Sequence, residues 1–120
     1  MTESSIKKYD LEERTAKFGE NVIMFCRSLK RDTISMPLVN QLVRSSTSIG
    51  ANYMEANGAS SRKDFRNKIH ICKKESQESK HWLRMIRTCC SDGQIEQAHK
   101  LWQESHELTL IFHKIAQSST

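Results

Sequence analysis

Two Glu-x-x-His pairs, Glu78–His81 and Glu96–His99, come closest in this sequence to a catalytic constellation. On two helices of a bundle, with one Glu from each of the other two, such pairs hold a di-metal centre. Helix levels exclude that geometry here. If the last turn is centred near Asp92, residue 81 lies level with about residue 103, and the pairs fall roughly 6–15 Å apart along the axis. His99, His106 and His113 recur at a seven-residue step of about 10.5 Å, too far for one ion to bind two of them. They read as packing or surface residues, with a pH-sensitive subunit contact as the sharper alternative. No glycine-rich phosphate loop and no G-x-S-x-G elbow occurs, and the N-terminal half holds no His to act as a base. The expectation is a protein with no catalytic residues, no metal site and no cofactor.

The cysteines fit that reading. Cys26 and Cys72 fall among apolar residues at helical spacing, where a free thiol behaves as a small hydrophobe. Cys89 and Cys90 are adjacent and lack the C-x-x-C arrangement, so reduced structural thiols are expected, with a vicinal redox pair as the alternative.

Charge is the most uneven feature. The net charge is +5, yet residues 60–91 alone carry nine basic residues against Asp64, Glu75 and Glu78, a local balance of +6. The remainder has ten basic and eleven acidic residues. A basic stripe on one helix is the electrostatic footprint of phosphate contact, although solvated charged faces are also common. Arg62, Lys63, Arg66, Lys73, Lys74, Lys80, Arg84 and Arg87 are the nucleic-acid-binding candidates. No ribonucleoprotein-type aromatic platform is legible, so contact without sequence readout is the expectation.

The elements that must position these groups follow from one period. Apolar and small residues step by four and three through Leu11, Thr15, Phe18, Val22, Phe25, Cys26 and Leu29, then Leu38, Leu42, Ser45, Ile49, Asn52 or Tyr53, and Ala56. The pattern resumes at Phe65, Ile69, Cys72, Ser76, Ser79, Leu83 and Ile86, and again at Ile95, Ala98, Leu101 or Trp102, Ser105, Leu108, Phe112 and Ile115. Asp10 with Glu13 has the form of a capping box, Ser35 with Pro37 opens the second helix, and Ser91-Asp92-Gly93 makes the last turn. With only four Gly and one Pro in 120 residues, the connections are short and neighbours run antiparallel. The predicted fold is all-α, a single-domain up-down-up-down antiparallel four-helix bundle over residues 10–117 behind a flexible segment 1–9. No stretch approaches the roughly 18–20 apolar residues of a membrane span, and MTESSIKKYDLEE has no apolar run after its lysines, so a cytoplasmic protein with no membrane partner is expected.

Level matching across the turns predicts an Arg14–Asn52–Glu55 cluster and an Arg44–Glu75 or Arg44–Glu78 pair, a polar network that fixes helix register. A second apolar flank, Ile23, Val43, Tyr53, Ile71, Trp82, Met85 and Ile111, marks either subunit contacts or a wider core stripe.

The string from Arg44 to Ile86, RSSTSIGANYMEANGASSRKDFRNKIHICKKESQESKHWLRMI, resembles the four-helix-bundle proteins encoded in intervening sequences of bacterial 23S rRNA genes. Its markers are S-I-x-x-N-x-x-E-A, at Ser48, Ile49, Asn52, Glu55 and Ala56, and K-E-x-x-E-x-x-x-W-L, at Lys74, Glu75, Glu78, Trp82 and Leu83. YDLEERTAKF, from Tyr9 to Phe18, fits the same opening. The resemblance implies a small non-enzymatic bundle assembled as a ring-shaped homopentamer and associated with rRNA or the ribosome, while the basic third helix could hold rRNA or another nucleic acid. A related branch serves diversity-generating retroelements as an accessory protein, which implies the alternative of an interaction scaffold for a partner such as a reverse transcriptase.

Overall fold

The computed structural model describes residues 3–119, with side chains described from Leu11 onward. Four α-helices follow one another: α1 (Glu3–Arg27), α2 (Ser35–Asn57), α3 (Arg62–Ile86) and α4 (Asp92–Ser118), with a single 3-10 turn over Arg87–Cys89 before α4. Consecutive helices pack together and α4 closes back on α1, in a bundle 44 Å long. The helical period and the short turns together produce this architecture. Residues 1–2 of the expected flexible segment lie outside the described residues, and the backbone is helical from Glu3. Asp10 therefore sits inside α1 and is not its cap.

Each turn has its own lock. Asp32 accepts hydrogen bonds on Oδ1 from the backbone N–H of Ile34 (2.9 Å) and of Ser35 (2.8 Å), while the Ser35 hydroxyl accepts from the Asp32 N–H and donates to the Lys30 carbonyl. The stop of α2 is Asn57-Gly58, and the Ser61 hydroxyl accepts the Asp64 N–H at the start of α3. Before α4, the Ser91 N–H donates to Gln94 Oε1, and Gln94 Nε2 donates to the Ser28 carbonyl, tying the start of α4 to the end of α1.

Asp32 gives a pH prediction with a definite sign. Two backbone N–H donors stabilise its ionised form and hold its pKa below the ordinary 3.8. Stability from a depressed carboxylate is present above the unfolded pKa and is lost as pH falls through the folded one. Wild type should therefore melt above Asp32→Ala by a constant margin from pH 7 down to about 5. That margin should shrink as acid carries the pH below about 4. A margin that stays constant to pH 2 would show that the carboxylate charge contributes nothing.

The core is built from the predicted stripes. Phe18, Val22, Phe25, Leu42, Ile49, Ile69, Leu83, Ile86, Leu108 and Phe112 are all buried. Tyr53, which the sequence placed either in the α2 stripe or on an outer flank, joins them and packs at 5.9 Å centroid distance against Phe112. Helical pitch puts Tyr53 four residues after Ile49, on the same inward face. Small polar residues between the helices satisfy one another. Ser45 and Ser79 share a hydrogen bond at 2.9 Å, Ser105 donates to the Ser76 carbonyl at 2.6 Å, and no buried side-chain polar atom lacks a partner among the described residues. α1 and α2 approach closely at Gly50, where a Cβ would lie 3.2 Å from Thr15 Oγ1. On the outside, Ile23 and Ile71 are each 37% exposed, and Met24, Met54 and Leu110 more so. Val43, Trp82, Met85 and Ile111 are half-buried.

Candidate nucleic-acid interface

The two flanks of α3 differ in chemistry. The flank toward α2 holds its carboxylates. Arg44 Nη1 donates to Glu75 Oε2 at 2.9 Å, Nη2 donates to Glu78 Oε2, the Ser48 hydroxyl donates to Glu75, and Gln41 Oε1 accepts from Arg44 Nε. The Glu78 hydrogen bond, then the charge of Glu75, holds the Arg44 guanidinium above its ordinary pKa against the opposing effect of desolvation. Glu75 is buried and Glu78 half-buried, so the acids of α3 are neutralised across the α2 interface. Asp64, the remaining one, lies in the first turn, where it favours the helix N-terminus.

The flank toward α4 holds the cations. At 3.6 residues per turn, Arg62, Arg66, Lys73, Lys80 and Arg84 share one side of α3, and Arg87 extends the row, which runs about 37 Å. Lys63 and Lys74 are exposed on the adjoining outer face. Lys68 lies on the α2 side and meets Glu55 at 3.6 Å. None of the eight candidate cations forms an ion pair among the described residues. Among the described residues, no partner inside the bundle therefore cancels the positive charge of this row.

The histidines on α4 line the other wall of the same groove. Lys73 Nζ meets His113 Nδ1 and Lys80 Nζ meets His106 Nδ1, each at 2.9 Å. The two helices are antiparallel and both rows step by seven, so their rungs coincide, and the third rung brings Arg87 beside His99. An ammonium only donates, so in each of these two hydrogen bonds the imidazole accepts on Nδ1. Between the histidines stands Trp102. Its ring is nearly parallel to His106 (5.4 Å, 8°) and to His99 (6.3 Å, 6°), and Lys80 Nζ lies 5.0 Å from its centroid. Spacing of three and four on one helix face was the available signal for this stack. Ribonucleoprotein-type platforms carry their aromatics on strands, whereas the rings here stand along a helix.

The remaining polar predictions divide. Arg44 reaches both Glu75 and Glu78. Arg14 does not join Asn52 and Glu55. It turns to α4, where its Nε donates to Glu104 at 2.7 Å and its Nη2 to Glu107 at 3.0 Å. Asn52 donates to the Ser48 carbonyl in its own helix, and Glu55 faces Lys68. α4 supplies two carboxylates at the level of Arg14, and pairing across α1–α2 alone overlooked them. The Glu-x-x-His residues are equally dispersed, with Glu78 on Arg44, His81 edge-on to Trp82, Glu96 near Lys100 and His99 on Trp102. No group of three or more His, Cys, Asp and Glu side chains could hold a metal among the described residues. Burial pushes the Cys26 thiol up to about 11 and the Cys72 thiol to about 12, so neither presents a thiolate near neutral pH.

These positions predict a contrast in stability. Arg44→Met leaves the Glu75 carboxylate buried with Ser48 as its remaining partner and should cost about 2–4 kcal/mol. Glu55→Ala removes one exposed pair and should cost no more than about 0.5 kcal/mol. Urea melts of the two variants check both. Equal midpoints would show that the Arg44 network does not hold α2 and α3 in register.

Fold and flanks together define a class: an antiparallel helical bundle with a basic groove that has no acidic partner among the described residues. The chain belongs to the 23S rRNA-intervening sequence protein family, whose model matches residues 7–91. It is also similar to a solved protein of unknown function from the S23 ribosomal protein family of Bacteroides thetaiotaomicron. That likeness has 30% identity and a TM-score of 0.81, over 92% of this chain and 98% of the other. No curated protein matches the chain. No helix among the described residues is long and apolar enough to cross a membrane. The matched family region ends just before α4, so the Trp102 stack lies outside it.

Proposed function

We propose that the protein is a non-enzymatic, cytoplasmic homo-oligomer, pentameric as the family resemblance implies, that binds RNA or another nucleic acid along the basic face of α3. The observation that carries this is the absence of any acidic partner, among the described residues, for Arg62, Lys63, Arg66, Lys73, Lys74, Lys80, Arg84 and Arg87. A row of free cations gains by releasing the counterions condensed on a phosphate backbone. The same row repeated around an oligomer would sum its field. Apolar side chains left at the surface, Met24, Met54, Ile71 and Leu110 among them, favour subunit contacts. Those side chains are also the observation that favours the second reading, a scaffold that engages a protein partner such as a reverse transcriptase.

Light scattering on a sizing column, with and without a mixed pool of RNA fragments, tests both parts. An oligomer near five subunits that elutes earlier with RNA, and loses that shift as salt rises, is expected. An oligomer indifferent to RNA at low salt would favour the scaffold. A monomer would remove the assembly and its summed field.

A further inference from the structure

The basic row explains attraction to phosphate but leaves the aromatic stack without a role. The two meet in one place. Arg84 in the last turn of α3, Arg87 in the turn that follows, and His99 and Trp102 in the first half of α4 line an open pocket of about 370 Å³. Arg84 and Arg87 are both exposed, and neither pairs with a carboxylate among the described residues. A guanidinium presents a planar fork of donors that matches phosphate oxygens. Trp102 and His99 hold their planes within 6° of each other, so a flat heterocycle can lie against one ring parallel to the other. Two guanidinium groups beside two parallel aromatic rings match the two halves of a nucleotide.

We propose that this pocket holds one unpaired nucleotide of a single-stranded nucleic acid, its base stacked on Trp102 and His99 and its phosphate held by Arg84 and Arg87. The proposal rests on the nucleic-acid reading above and adds a preference to it. A base within a duplex already has both faces stacked on its neighbours, so a duplex can meet the cations but cannot fill the pocket. Lys80 reinforces the platform, because an ammonium over the indole ring and bonded to His106 fixes the orientation of Trp102. Stacking tolerates any base, so no strong sequence preference is expected.

Tryptophan fluorescence separates the outcomes. In a Trp82→Phe background Trp102 is the one remaining indole. Mixed-sequence 12-mers of single-stranded RNA, the matching single-stranded DNA and the RNA duplex are titrated in parallel. Quenching by a single strand of either sugar, with binding but no quenching by the duplex, is expected, because nothing in the pocket reads the sugar. Trp102→Leu should weaken single-strand binding by roughly 5- to 100-fold and leave duplex binding unchanged. His99→Ala, at the exposed end of the stack, should give a smaller loss in the same direction if Trp102→Leu folds poorly. Single-strand binding that is salt-dependent but produces no quenching, and that both variants leave unchanged, overturns the pocket while the basic face stands. Absence of binding by every nucleic acid overturns the basic face and the pocket together.

Discussion

Replacing Arg62, Arg66 and Lys73 together by Gln should lower RNA affinity about 50-fold at roughly 0.15 M salt and reduce the slope of log K against log salt by about 2. The size follows from counterion release. Each phosphate neutralised on a single strand contributes about 0.7 to the slope, so three contacts contribute about 2.1. The three residues lie on the α4 flank of α3, far from Trp102, so their loss leaves the stack in place. None is ion-paired among the described residues, and Lys73 loses only an exposed hydrogen bond to His113, so the melting temperature should move little. Filter binding across a salt series, beside a thermal melt, checks both numbers. An unchanged slope would mean that phosphates do not run along this half of α3. The positive charge would then be a solvated surface.

The second large effect is on folding. Phe112→Ala should destabilise the bundle by about 3–5 kcal/mol, lowering the melting temperature by roughly 10–20 °C. Phe112 is fully buried in α4 and packs against Tyr53 of α2, so its ring bridges two helices that are not neighbours in the bundle. Truncation loses the transfer free energy of the ring and leaves a cavity that neither rigid helix can close. Phe112→Leu fills most of the space and should recover more than half of the loss. Differential scanning calorimetry of the pair measures it. A Phe112→Ala protein that melts within a few degrees of wild type would show that this end of the core is loosely packed.

How much of the molecule was legible beforehand depends on the range of the interaction. The helix interiors and the core residues Phe18, Ile49, Leu83 and Phe112 follow from a period of 3.6 applied locally. The charge excess of α3 is a matter of counting, and the Arg44 pair followed from level matching because α2 and α3 adjoin across a short turn. Arg14 escaped the same method. Its partners Glu104 and Glu107 lie ninety residues or more along the chain, and pairing consecutive helices does not reach them. Tyr53 escaped because Asn52 and Tyr53 both fit the stripe, and only the packing of α2 diagonally opposite α4 chose between them.

The sequence by itself determined a four-helix bundle, its stripes, its short turns and the +6 segment, since these depend on residue type and spacing along one strand of chain. Only the tertiary structure decided where that charge goes. It turned Glu75 and Glu78 toward Arg44 and left the opposite flank of α3 without acids. It also brought the α4 histidines into step with the α3 lysines and stood Trp102 beside Arg84 and Arg87. The physical reason is geometric. A helix sets which residues share its own flank, but which flank meets which neighbour is set by packing all four apolar stripes into one core.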